Sequence, residues 1–61
     1  MLSTALLREA QELKNVSQRV ELLADQHPHV STALLAICGT ISQTAMMMEV
    51  FVATKLEGRP I

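Results

Sequence analysis

The chain has 61 residues, five lysines and arginines against six aspartates and glutamates, and a formal net charge of -1. This length makes at most one domain, and so small a domain usually needs a disulfide, a metal or association with another chain. The single cysteine, Cys38, excludes an intrachain disulfide and predicts a small core residue, with an interchain bridge as the alternative. Scattered basic residues and one aromatic residue, Phe51, argue against a nucleic-acid-binding surface.

The first periodic segment predicts a helix over about residues 3–25, because its apolar residues recur in steps of three and four. A hydroxyl of Ser3 or Thr4 is placed to cap the N-terminus of this helix. The charged and amide side chains lie largely on the other faces. The apolar stripe of this first helix is Leu2, Leu6, Leu13, Val16, Val20 and Leu23.

A break at His27 and Pro28 separates this segment from a second one. Proline disfavours helical backbone at the preceding residue and suits the first turn of a new helix. The turn is therefore placed at residues 26–27 and the second helix at about 28–56, ended by Gly58 and Pro60, with a frayed tail over 57–61. The main stripe of the second helix is Val30, Leu34, Ile37, Ile41, Thr44, Met48 and Phe51.

So short a connection predicts an all-α fold, an antiparallel two-helix hairpin. Facing residues then have numbers that sum to about 53 or 54, which pairs Leu13 with Ile41 and Val20 with Leu34. The predicted hairpin core is Leu6, Leu13, Val16, Val20, Leu23, Val30, Leu34, Ile37, Ile41, Met48 and Phe51.

One pair of facing positions interrupts the apolar pattern. Glu9 faces Thr44 where a coiled-coil seam asks for apolar residues, so the two are predicted to form a polar core layer. The alternative is a slight helix rotation that makes Ala10 face Ala45 and leaves Glu9 at the rim.

The second helix carries more apolar surface than the first can cover. A helix that is apolar nearly all round is buried in a larger assembly or in a membrane. We therefore expect a homodimer that forms a four-helix bundle with coiled-coil packing, in which small residues let two copies of the second helix approach closely. The predicted dimer interface is Leu35, Cys38, Gly39, Ser42, Ala45, Val52 and Leu56.

Candidate chemistry is sparse. His27, His29, Asp25 and Cys38 do not supply the four ligands, or three plus water, that zinc needs within one chain; the histidines are predicted to be exposed turn residues, although a dimer would double the ligand count. Glu9 and Glu49 have no nucleophile or base beside them, so we expect neither an enzyme nor a cofactor. Three consecutive methionines at residues 46–48 favour core packing, with a partner-binding surface as the alternative.

The leading hypothesis for function is a non-enzymatic oligomerising module that mediates protein–protein interaction or regulation. Its expected partners are a second copy and then another helical protein, and its expected location is the cytoplasm because no secretory signal is visible. The alternatives are a small membrane-associated protein with residues 30–54 as the span and an RNA-binding bundle that uses Arg8, Lys14 and Arg19. A nucleic-acid partner and a membrane are both disfavoured by the composition.

Overall fold

The computed structural model describes residues 1–58, so the predictions for Arg59, Pro60 and Ile61 lie outside the described residues. Helix α1 spans Leu2–Gln26, a 3-10 turn spans Pro28–Val30, and helix α2 spans Ser31–Phe51. A π-helical turn over Val52–Leu56 continues α2. The described part of the chain contains no strand, which confirms the predicted all-α class.

The two ends of α1 follow from local sequence. At its start, Met1 is the N-cap and makes no side-chain hydrogen bond, so the prediction that Ser3 or Thr4 caps this helix is wrong. At its end, His27 leaves the helical region with φ -131° and ψ 72°, as expected for a residue before proline. The His27 N–H donates to Ala24 O at 3.3 Å, and its ring Nδ1 lies 3.0 Å from Leu23 O.

The second helical segment ends in a widened turn. The Glu57 N–H donates to Val52 O at 2.9 Å, five residues back, and the Thr54 hydroxyl donates to Val50 O at 2.8 Å. Gly58 follows with a φ of 68°, the left-handed conformation that commonly ends a helix and that favours glycine. Of the predicted tail, only residues 57 and 58 are described.

The two helices lie side by side in opposite directions. Ser17 in α1 bonds Cys38 in α2, whereas Lys14, earlier in α1, bonds Glu49, later in α2. Partner numbers therefore rise along one helix as they fall along the other. The pair Ser17 and Cys38 sums to 55, one or two positions beyond the predicted register.

Small residues at every seventh position form the line along which the helices meet, which we call the seam. Ala10 and Ala45 are fully buried there, at 0% exposure, and the seven-residue repeat continues unbroken across the turn. Because these side chains are small, the backbones of the two helices can approach closely. The seam consists of Ser3, Ala10, Ser17 and Ala24 on α1 and Ser31, Cys38 and Ala45 on α2, and it ends at the larger Val52 in the π-helical turn.

The residues predicted as the hairpin core lie beside the seam rather than in it. Leu23, Val30, Ile37 and Phe51 are exposed, and the other predicted core residues are half-buried. The reason is that the larger side chains share the seven-residue repeat with the small ones but lie one step around each helix. When the helices pack closely, the row of small residues lies between them, and the row of larger residues lies on one side of the contact.

The resulting molecule is a slab one helix thick. Its principal dimensions are 44 × 19 × 11 Å. Stable domains usually have two packed layers of secondary structure around one core. In this chain a single layer leaves most of the larger apolar side chains without a covering layer.

Candidate interaction interface

A reciprocal hydrogen-bond pair links the helices at the middle of the seam. The Ser17 hydroxyl donates to Cys38 O at 3.2 Å, and the Cys38 thiol donates to Ser17 O at 3.3 Å. Ser17 Oγ also lies 3.0 Å from Ser42 Oγ. These bonds satisfy the buried Ser17 hydroxyl and fix the register of the two helices, since each side chain reaches the backbone of the opposite helix.

One side of the slab carries polar side-chain contacts between the helices, and we call it the polar flank. Residues that follow a seam position by four lie on this side of each helix; the polar ones include Lys14, Ser42 and Glu49, and the apolar ones are Leu7, Leu35 and Leu56. Lys14 Nζ lies 2.7 Å from Glu49 Oε2, and about two fifths of each side chain is exposed. An exposed ion pair of this kind contributes at most about 1 kcal/mol.

The residues of the predicted dimer interface lie at different places within the single chain. Cys38, Ala45 and Val52 are buried against α1 within one chain, so they cannot meet a second copy while the helices stay paired. Ser42 bonds Ser17 on the polar flank, and Leu56 is half-buried. Leu35 and Gly39 are exposed on that same side. The sequence interpretation missed that α1 also carries small residues every seven positions, which is the signal that would have assigned this line to the seam.

The opposite side of the slab is apolar, and we call it the apolar face. Its residues precede a seam position by four or by one, which places the first group about 40° and the second about 100° around each helix from the seam. The positions nearest the seam are half-buried, and most of those farther out are exposed. The apolar face consists of Leu2, Leu6, Glu9, Leu13, Val16, Val20 and Leu23 on α1, Val30 in the 3-10 turn, and Leu34, Ile37, Ile41, Thr44, Met48 and Phe51 on α2.

An open depression of about 270 Å³ lies at the end of this face farthest from the turn. Leu6 of α1 lines it together with residues of α2, which shows that both helices contribute to the same side of the slab. Its α2 lining is Thr44, Met47, Met48 and Phe51. The depression has the apolar composition and the shape to receive a side chain of similar character.

Glu9 and Thr44 are the two polar positions of the apolar face. Both are exposed, and the Thr44 hydroxyl donates to Thr40 O of its own helix at 3.0 Å. They do not form a layer inside the two-helix chain. Instead Ala10 and Ala45 are fully buried, so the structure has the alternative arrangement in which Glu9 lies at the rim.

The described residues offer no assembled metal site, because no group of three potential ligands among His, Cys, Asp and Glu occurs in them. The rings of His27 and His29 are 6.2 Å apart in an edge-to-face arrangement, and both residues are exposed. Of the basic residues proposed for RNA, Lys14 is engaged by Glu49. Arg8 and Arg19 are exposed on α1.

The helical segment Pro28–Leu56 is long and apolar enough to cross a membrane, by length and composition alone. Core helices of soluble proteins pass the same criteria when most of their surface is buried. Only 17% of the most apolar stretch is buried within this chain. Most of that stretch is therefore exposed in the single chain.

No family model matches this chain, and neither the curated proteins nor the solved structures give a significant match.

Proposed function

We propose that the chain is a non-enzymatic self-associating module. Two antiparallel hairpins stack their apolar faces to form a homodimeric four-helix bundle, and the bundle mediates interaction with another protein or its regulation, with the cytoplasm as its location. The observation that carries this proposal is the one-helix-thick slab, whose apolar face leaves Leu2, Leu23, Val30, Ile37 and Phe51 exposed beside a row of half-buried aliphatic residues. A second copy supplies the second layer that a stable domain requires.

The size of the apolar face suits such a partner. The slab measures 44 × 19 Å in outline, and a stable protein–protein interface buries roughly 800 Å² on each side. A second copy has a face of the same outline and, apart from Glu9 and Thr44, the same apolar character, so the two surfaces match over most of their length. Self-association through one identical patch on each subunit is the commonest form of soluble oligomer.

The seam alone stabilises the chain weakly. Its buried residues are mostly alanine, serine and cysteine, and burial contributes about 0.8 kcal/mol for each CH₂ group. The larger leucine, isoleucine and phenylalanine side chains gain their full burial only when the apolar face is covered. Folding and association are therefore expected to be coupled.

A matched pair of variants tests the proposed interface. Ile37 and Leu35 are exposed at 49% and 47%, lie two residues apart on α2, and belong to the apolar face and the polar flank respectively. Ile37→Glu is expected to convert the dimer to monomeric or unfolded protein, since each copy would bury an unpaired carboxylate. Leu35→Glu is the control and is expected to remain dimeric. The measurement is molecular mass by light scattering with circular dichroism.

The opposite pattern would reject this interface. If Leu35→Glu dissociated the dimer and Ile37→Glu did not, self-association would occur through the polar flank. If both variants and the parent were folded monomers, the proposal of self-association itself would be wrong.

The membrane-associated alternative is favoured by one observation, the low burial of the segment Pro28–Leu56. A spanning α2 would have to separate from α1, because α1 carries charged residues throughout its length. That separation breaks the Ser17–Cys38 bonds and places Glu49 in the bilayer without Lys14. Recovery of the protein with phosphatidylcholine vesicles after flotation, and its loss from detergent-free solution, would support this alternative over the dimer.

A further inference from the structure

We infer that the two copies stack with their turns at opposite ends, so that Leu23 and Val30 of each copy enter the depression of the other. This inference rests on the proposed self-association. It adds the topology of the dimer and the residues that fill the depression, whereas the proposed function requires only that the apolar faces meet.

The two ends of the apolar face are different in shape. The end near the chain terminus has the depression of about 270 Å³ lined by Leu6, Met48 and Phe51 among others. The end near the turn presents Leu23 and Val30, which are 47% and 41% exposed. The end with the depression also exposes Leu2 and Phe51, at 62% and 47%, so it offers an apolar space with an apolar rim to the two side chains at the turn end.

The positions of these residues are consistent with a two-fold axis that lies parallel to the apolar face and perpendicular to the helices. Leu6 and Leu23 lie at equal distances from the middle of α1, and Val30 and Phe51 lie at equal distances from the middle of α2, roughly 13–16 Å in each case at 1.5 Å per residue. Because Ser17 lies opposite Cys38, both midpoints fall at the same level. One axis can therefore bring Leu23 onto the partner's Leu6 and Val30 onto the partner's Phe51.

If the two copies stacked with both turns at the same end, each helix would still be antiparallel to its neighbours in the bundle. The two apolar faces would, however, be less complementary in shape. The two depressions would then lie against each other, and Leu23 and Val30 would meet the same residues of the second copy. Apolar volume left unfilled in an interface destabilises it in proportion to that volume. The arrangement with turns at opposite ends fills both depressions.

Distances between spin labels test the topology. In a Cys38→Ala background, which removes the native thiol, Gln26→Cys places a nitroxide on the exposed last residue of α1. With turns at opposite ends, the two labels are expected roughly 35 Å apart, because about 23 residues of helix separate their levels. With turns together, they would lie within roughly 20 Å, since neighbouring helices of a bundle are about 8–10 Å apart.

A label at Thr40→Cys is the control, because this exposed residue lies near the middle of α2 and is expected to give a short distance whenever the dimer forms. A short distance at both positions would overturn the proposed topology and leave self-association intact. The absence of any distance between labels at either position would overturn both the topology and the proposed function.

A double-mutant cycle without labels covers the case in which the Cys38→Ala background does not fold. Leu6 and Leu23 are about 25 Å apart within one chain, so their alanine substitutions should change the dimer dissociation constant independently unless the two residues meet across the interface. The inferred topology predicts non-additive effects for Leu6→Ala with Leu23→Ala. It predicts additive effects for Leu6→Ala with Leu22→Ala, a control residue exposed off the apolar face. Additive effects for both pairs would reject the topology.

Discussion

Gly39 and Gly58 differ in whether the structure requires a glycine at their position. An added Cβ at Gly39 would meet nothing within 4 Å, and Gly58 has a φ of 68°. Gly39 therefore has no close contact in this chain that requires glycine, whereas Gly58 has a conformation that other residues adopt only with strain.

Gly39→Ala is expected to stabilise the protein by about 1 kcal/mol, because alanine has the higher helix propensity and the site is open. For a domain of this size that corresponds to a rise in Tm of roughly 4–8 °C. Gly58→Ala is the control and is expected to lower the stability by about 1 kcal/mol, since its backbone is left-handed. Thermal unfolding by circular dichroism measures both changes. Loss of dimer in Gly39→Ala would show that a helix of another copy approaches this residue, as the sequence interpretation had expected.

At the scale of the elements, the sequence alone predicted the two helical segments and the break between them, because local rules determine both. The break before Pro28 follows from the backbone restriction that proline imposes on His27, and the two segments follow from apolar residues in steps of three and four. These rules act within a few residues, so the sequence alone supports them. The confirmed class, all-α, depends on nothing more.

The line of contact between the helices was less predictable. Two sets of residues repeat every seven positions on each helix, one of small residues through Ala10 and Ala45 and one of larger residues through Leu13 and Ile41. Periodicity cannot decide between them, because both satisfy it. The choice depends on how closely the backbones approach and on the Ser17–Cys38 bonds, which are tertiary properties. Because the helices meet along the small residues, Cys38, Ala45 and Val52 of the predicted interface lie in the seam. The residues of the predicted hairpin core lie on the apolar face for the same reason.

The small-residue seam makes a direct prediction about size. Ala45→Leu places a large side chain where exposure is 0%, and overpacking of this kind typically costs about 1–3 kcal/mol. Ala36→Leu makes the same change at an exposed site on the same helix and is expected to alter the stability by less than about 0.5 kcal/mol. Urea denaturation measures both free energies of unfolding. Equal effects of the two variants would mean that the helices do not meet along the seam.

At the scale of the whole molecule, the two faces of the slab have different character. The polar flank carries the Lys14–Glu49 ion pair, whereas the apolar face carries most of the large aliphatic side chains and has Glu9 at its rim. A two-layer bundle would bury one face of each copy and expose the other to water and to further partners. The continuous row of aliphatic residues on the apolar face thus favours association through that face.

The most direct test of self-association is the molecular mass of the chain in dilute, detergent-free solution. The chain has a mass of 6.7 kDa, and the proposed bundle predicts twice that value at micromolar concentration, with helical circular dichroism lost together with the dimer on dilution. A folded species of 6.7 kDa that unfolds cooperatively and independently of concentration would contradict it.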